Sequence, residues 1–129
     1  MAGSPTKSPS DLVMIPGSID AIAASPDGRT VYFLSDKTIR AFSRETGAQT
    51  TVADRAGDTL AVSPDGKWLL TNPAGIAAVP ASGGRLKQIV SASGVQEISW
   101  SARGQIAALV SFGGQMDLWT FRVDDFILN

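Results

Sequence analysis

Asp27 and Asp65 are the first residues whose type and repetition suggest chemistry. Two carboxylates in one site can pass protons or hold a hard cation. Each, however, sits in the same tetrapeptide, Ser-Pro-Asp-Gly, at residues 25–28 and 63–66. In that frame Pro26 and Pro64 preset φ at the second turn position, Asp27 and Asp65 suit the third, and Gly28 and Gly66 take the left-handed conformation. A type I turn closed by a glycine bulge is therefore predicted, with the aspartates as turn residues. The two turns are expected to stand too far apart for their carboxylates to share chemistry. Asp124 and Asp125 fall in another predicted turn and read as solvated.

Other chemistries are narrowed by residue types that are missing. The chain has no histidine and no cysteine, which removes imidazole bases, thiolate nucleophiles, disulfides and the usual zinc ligands. No serine has a base to activate it, so no catalytic residue, cofactor site or metal site is expected. Gly83-Gly84 and Gly113-Gly114 lie between predicted strands, with no following helix to offer a positive end to phosphate. A net charge of −1 without a basic run argues against nucleic acid. No apolar run approaches the roughly 20 residues of a membrane span. Residues 1–10 read as a flexible tail and not as a signal peptide. A cytoplasmic location is expected of a full-length chain, and a periplasmic or secreted one if a signal was trimmed.

The elements that position these residues repeat. The step from Ser25 to Ser63, taken once more, reaches Ser101, where Gly104 keeps the last motif position. Ile22, Leu60 and Ile98 follow the same step, as do Val31, Leu69 and Ala107. Four short β-runs are predicted in each unit. The first runs cover residues 19–24, 59–62 and 98–100; the second cover 30–34, 67–71 and 105–111. The third runs cover 38–42, 76–79 and 116–121; the fourth cover 49–52, 86–90 and 126–128. Helical periodicity is absent, so an all-β fold is predicted, with repeats near residues 19–53, 58–90 and 95–128. Hydrophobic residues at 43% and charged residues at 18% fit a globular segment over residues 11–129.

Residues 24–36 and 62–70 resemble the "SPDG" repeat of TolB-type and WD-repeat-like β-propellers. The resemblance implies three propeller blades of four antiparallel strands each. The third copy lacks the Pro and Asp, Trp119-Thr120 stands where WD repeats carry Trp-Asp, and the accompanying His is missing. Trp68, Trp100 and Trp119 could form an aromatic platform, but their places in alternating β-runs predict packing between blades. Ala21, Ala23, Ala61, Ala107 and Ala108 suit the crowded inner strands.

Three blades are fewer than the four to eight that typically close a ring. A partial ring or half of an oligomeric propeller is expected, with the strand over residues 12–15 completing a blade. The expected partner is a protein: a second copy giving six blades, the missing blades of a longer chain, or, third, a different protein. Neither nucleic acid binding nor membrane insertion is expected. In propellers the loops joining fourth to first and second to third strands share the usual recognition face. Those loops supply the candidate binding residues Asp36, Lys37, Asp54, Arg55, Asn72 and Gln115. The expected function is a non-enzymatic scaffold for protein–protein interaction. Alternatives are a piece of the propeller domain of a prolyl-oligopeptidase-like hydrolase, or a propeller binding a small ligand or sugar.

Overall fold

A computed structural model describes residues 17–122, which form eleven β-strands and no helix. Blade 1 comprises β1 (Ala21–Ala24), β2 (Thr30–Ser35), β3 (Thr38–Ser43) and β4 (Gln49–Ala53). Blade 2 comprises β5 (Leu60–Val62), β6 (Trp68–Thr71), β7 (Ile76–Pro80) and β8 (Lys87–Val90). Blade 3 comprises β9 (Val95–Trp100), β10 (Gln105–Phe112) and β11 (Gln115–Arg122). Each blade is an antiparallel meander paired in chain order, so the fold is a partial β-propeller. The predicted strands over residues 12–15 and 126–128, the tail over residues 1–10 and the Asp124-Asp125 turn lie outside the described residues. Among the described residues, no helix is long and apolar enough to cross a membrane.

The first hairpin of each blade is built by its turn chemistry. The N–H of Gly28 donates to the Ser25 carbonyl at 2.9 Å, and that of Gly66 to the Ser63 carbonyl at 2.9 Å. Both glycines are left-handed, with φ of 74° and 76°. Asp27 Oδ1 accepts from Ser25 Oγ at 2.6 Å and from the Arg29 N–H at 2.9 Å. Asp65 repeats this with Ser63 Oγ at 2.6 Å and the Lys67 N–H at 3.0 Å.

The third hairpin departs from the repeat step. Trp100 pairs with Ile106, whereas Ala24 pairs with Val31 and Val62 with Leu69. Residues 101–105 thus span a turn that takes residues 25–30 and 63–68 in the other copies. The extra residue there is Arg29 or Lys67, whose N–H is held by the turn aspartate. Arg103 replaces that aspartate, and no extra residue is present. Ile106, and not Ala107, is therefore the counterpart of Val31 and Leu69. One residue of slip exchanges the two faces of a strand. Ile106 is accordingly 0% exposed, while Ala107 is half-buried.

The core lies in two layers between the blades. Ala21, Ala23, Tyr32, Leu34 and Ile39 of blade 1 cluster with Leu60, Val62, Leu69 and Val79 of blade 2. On the other side of blade 2, Ala61, Leu70 and Ala78 cluster with Ile98, Ile106, Ala108 and Val110 of blade 3. Leu69 and Leu70 are neighbours in sequence and fully buried on opposite faces. A strand covered on both faces is continuously apolar, which is the pattern of β6 and β7. β11, at the end of the arc, instead alternates between exposed and half-buried residues. Trp68, Trp100 and Trp119 all pack in the single layer between blades 2 and 3.

Candidate functional site

The first strands of the three blades start side by side. Asp20, Asp58 and Gln96 are related by the repeat step, as are Ala21, Thr59 and Glu97, and Ile22, Leu60 and Ile98. All of these except Ile98 line one cleft of about 520 Å³, with polar or acidic side chains at the outermost positions. Thr59 Oγ1 donates to Glu97 Oε1 at 2.8 Å, tying equivalent positions of blades 2 and 3 together.

Asn72 organises the rim of this cleft. Its Oδ1 accepts from the N–H groups of Asp58 at 2.9 Å and Thr59 at 3.0 Å. Its Nδ2 donates to Asp58 Oδ1 at 2.9 Å and to the Val95 carbonyl at 2.7 Å. The residue thereby links the β6–β7 loop to the entrances of both β5 and β9. A Cβ on Gly57 would collide with the Asn72 backbone, so only glycine permits this approach.

The other candidate binding residues are placed as follows. Asp36 and Lys37 form the β2–β3 turn with φ of 53° and 63°, and Arg55 in the β4–β5 loop has φ of 61°. The Ala56 N–H donates to the Lys37 carbonyl at 2.8 Å, and Thr38 Oγ1 donates to Asp54 Oδ1 at 3.3 Å. These bonds bring Asp36, Lys37, Asp54 and Arg55 to one stretch of rim. Gln115 is exposed at the start of β11, beside the β10–β11 turn of blade 3, and Asn72 occupies the corresponding loop of blade 2. Asp20, Thr59, Gln96 and Glu97 belong to no motif. The repeat step, applied to the residues just before each apolar run, is the signal that would find them.

On the opposite rim the two Ser-Pro-Asp-Gly turns meet. A Cβ on Gly66 would sit 3.2 Å from Pro26 Cδ. Asp27 and Asp65, expected to stand apart, line one cleft of about 210 Å³ with Tyr32. Each carboxylate nonetheless remains engaged in its own turn. The Ser25 hydroxyl and then the Arg29 N–H hold Asp27 below its ordinary pKa, as the Ser63 hydroxyl and the Lys67 N–H do for Asp65. Burial, and secondarily the Asp27 charge, pushes the Tyr32 phenol up. Among the described residues, no group of three or more Asp or Glu is arranged to hold a metal ion.

The ends of the arc are the remaining surfaces of note. Ile22 on blade 1 is 68% exposed, and Leu118 on blade 3 is 71% exposed, with Leu109 and Met116 also exposed on that blade. Phe33 shares the blade 1 end face with Ile22 but is buried to 1%.

Neither a protein-family model nor a curated protein sequence matches the chain. Solved propeller structures do. A TolB structure from Agrobacterium tumefaciens superposes at a TM-score of 0.75 and 18% identity, over 85% of this chain and 44% of that one. Kuenenia stuttgartiensis hydrazine synthase superposes at 0.71 and 20% identity, over 95% of this chain and 37% of that one. The β-propeller domain of Cps50 (Swd1) from Myceliophteria thermophila superposes at 0.63 and 18% identity, over 81% and 36%. The chain spans less than half the length of each of these structures. Its blades are similar in fold to those of TolB and WD40 propellers, and the chain has the fold of a partial β-propeller.

Proposed function

We propose that the arc is a non-enzymatic module that binds protein through its end faces. The observation that carries this reading is the exposure of Ile22, at 68%, and Leu118, at 71%, on sheet faces whose counterparts in blade 2 are buried. Exposed apolar surface of this kind marks an interaction site or an aggregation hazard. The rim holding Asp36, Lys37, Asp54, Arg55 and Gln115 is the second surface available to a partner. Asn72 serves that rim by fixing its loops.

The test is binding of the apolar dye ANS, with far-UV circular dichroism as a check on folding and light scattering as a check on mass. At concentrations where the chain is monomeric, the wild type is expected to enhance dye fluorescence. A variant carrying Ile22→Asn and Leu118→Asn is expected to lose most of that signal while remaining folded. A folded wild-type monomer that leaves the dye dark overturns the reading.

A further inference from the structure

We propose that two copies of this chain close head to tail into one six-bladed ring. The end face of blade 3 then seats on the end face of blade 1 of the second copy. The proposal rests on the end faces being protein-binding surfaces and names their occupant.

The joints already present in the chain are directional. Through the hairpin pairings, Ala23, Ala61 and Ser99 are equivalent, each next to the last residue of its blade's first strand. Ala23 in blade 1 and Ala61 in blade 2 both turn toward the following blade. Each meets the opposite set on that blade: Leu60 and Val62 on blade 2, Ile98 and Trp100 on blade 3. Blade 3 presents its own forward set, Ser99, Ala107, Leu109 and Leu118, to no described residue of a following blade. Blade 1 presents its own backward set, Ile22 and Ala24, on the other end of the arc. The two end faces are therefore the two halves of one repeating joint.

The side chains fit that joint. In both existing joints a large aliphatic residue, Leu60 or Ile98, is clustered with a small one, Ala23 or Ala61. Ile22 is the counterpart of the large residue, and Ser99 of the small one. Contact between blades runs chiefly from first strand to first strand, β1 with β5 and β5 with β9. Ile22 and Ala24 are exposed on the first strand of blade 1, whereas Phe33, which pairs with Ile22 on the adjoining second strand, is buried. Two blade 3 faces placed together would set forward against forward, an arrangement found in neither joint.

The share of a solved propeller that the arc covers suggests the copy number. The arc superposes on 44% of the A. tumefaciens TolB chain at a TM-score of 0.75, so two arcs occupy most of such a chain. Hydrazine synthase and the Cps50 (Swd1) domain take the arc on 37% and 36% of their lengths, at scores of 0.71 and 0.63. Three and three gives six blades, inside the usual closed range. A head-to-tail contact that closes after two copies also leaves no end exposed, whereas one that does not close builds filaments.

The experiment combines mass with cross-linking on the full chain. Light scattering should report a species of twice the 13.4 kDa chain mass. The chain has no cysteine, so a disulfide forms only between residues placed for the purpose. Ile22→Cys and Ser99→Cys variants, each alone, should stay uncross-linked under mild oxidation; mixed, they should form a disulfide-linked dimer. Leu118→Glu should weaken dimerisation by about tenfold at each joint, and so about a hundredfold for a ring with two joints. A dimer that cross-links through Leu118→Cys alone, and not through the mixed pair, overturns the ring. Species larger than two copies overturn closure. A folded monomer at every concentration overturns the second copy as occupant; if that monomer still binds ANS, the protein-binding reading stands, and if it does not, both fall.

Discussion

Replacing Asn72 with alanine tests whether one carboxamide holds blades 2 and 3 in register. The substitution removes four hydrogen bonds, two of them partly buried, to the Thr59 N–H and the Val95 carbonyl. A net hydrogen bond contributes about 0.5–1.5 kcal/mol, and a buried group left unpaired costs about 1–3 kcal/mol. The two exposed bonds to Asp58 are replaced by water and add little. Asn72→Ala should therefore destabilise the fold by about 2–3 kcal/mol. For a domain of this size that lowers Tm by about 6–12 °C. The assay is thermal unfolding followed by circular dichroism, with urea unfolding as a second measure. Asn72→Asp keeps the acceptor for both N–H groups but loses the donor to Val95 and sets a carboxylate beside Asp58. It should not restore stability. A Tm within about 2 °C of wild type for Asn72→Ala would refute the linchpin role, because less than about 0.7 kcal/mol would then reside in the network.

Three further outcomes follow from the turns and the blade joints. Gly28→Ala and Gly66→Ala both force a side chain into left-handed backbone, costing about 1–2 kcal/mol each. Gly66→Ala should cost more in urea unfolding, because its Cβ also crowds Pro26, while nothing stands within 4 Å of a Cβ at Gly28. Asp27 and Asp65 have folded-state pKa values lowered by the Ser25 and Ser63 hydroxyls. Their contribution is present above the ordinary carboxylate range and is lost as pH falls below it, through their lowered folded-state values. The wild-type Tm should thus decline from about pH 4 downward, and Asp27→Asn with Asp65→Asn should flatten that decline. Trp100 Nε1 is buried and has no hydrogen-bond partner among the described residues. Trp100→Phe should change unfolding free energy by under about 1 kcal/mol, since lost contact is offset by removal of an unpaired donor. Trp100→Ala, which empties the site, should cost about 3 kcal/mol or more.

The propeller arc was legible because its signals are local and recur. Ser-Pro-Asp-Gly twice, with Gly104 in the third copy, marks the hairpin of each blade, and the alternating runs flanking it mark the paired strands. The repeat step failed at Ala107 because a hairpin one residue shorter changes the strand's facing, and counting by a fixed step does not register such a deletion. β9 was also predicted too short. Gln96 and Glu97 interrupt the apolar pattern, yet the strand continues back to Val95, through a bulge in its pairing with β10 opposite Leu109 and Val110.

The candidate site divides along the same line. Turn type, repeat length and the absence of imidazole and thiol chemistry are properties of residues and their spacing, so they are set before any sheet packs on another. The convergence of Asp20, Asp58 and Gln96 on one cleft depends on how three sheets rotate about a common axis. So does the meeting of the two Ser-Pro-Asp-Gly turns at Pro26 and Gly66. The role of Asn72 required the tertiary structure for the same reason. A loop asparagine reads as a solvent-facing polar residue until the neighbouring blade brings the Val95 carbonyl within 2.7 Å of its amide. Contacts between blades join residues tens of positions apart, and their geometry is set by packing that no local pattern encodes.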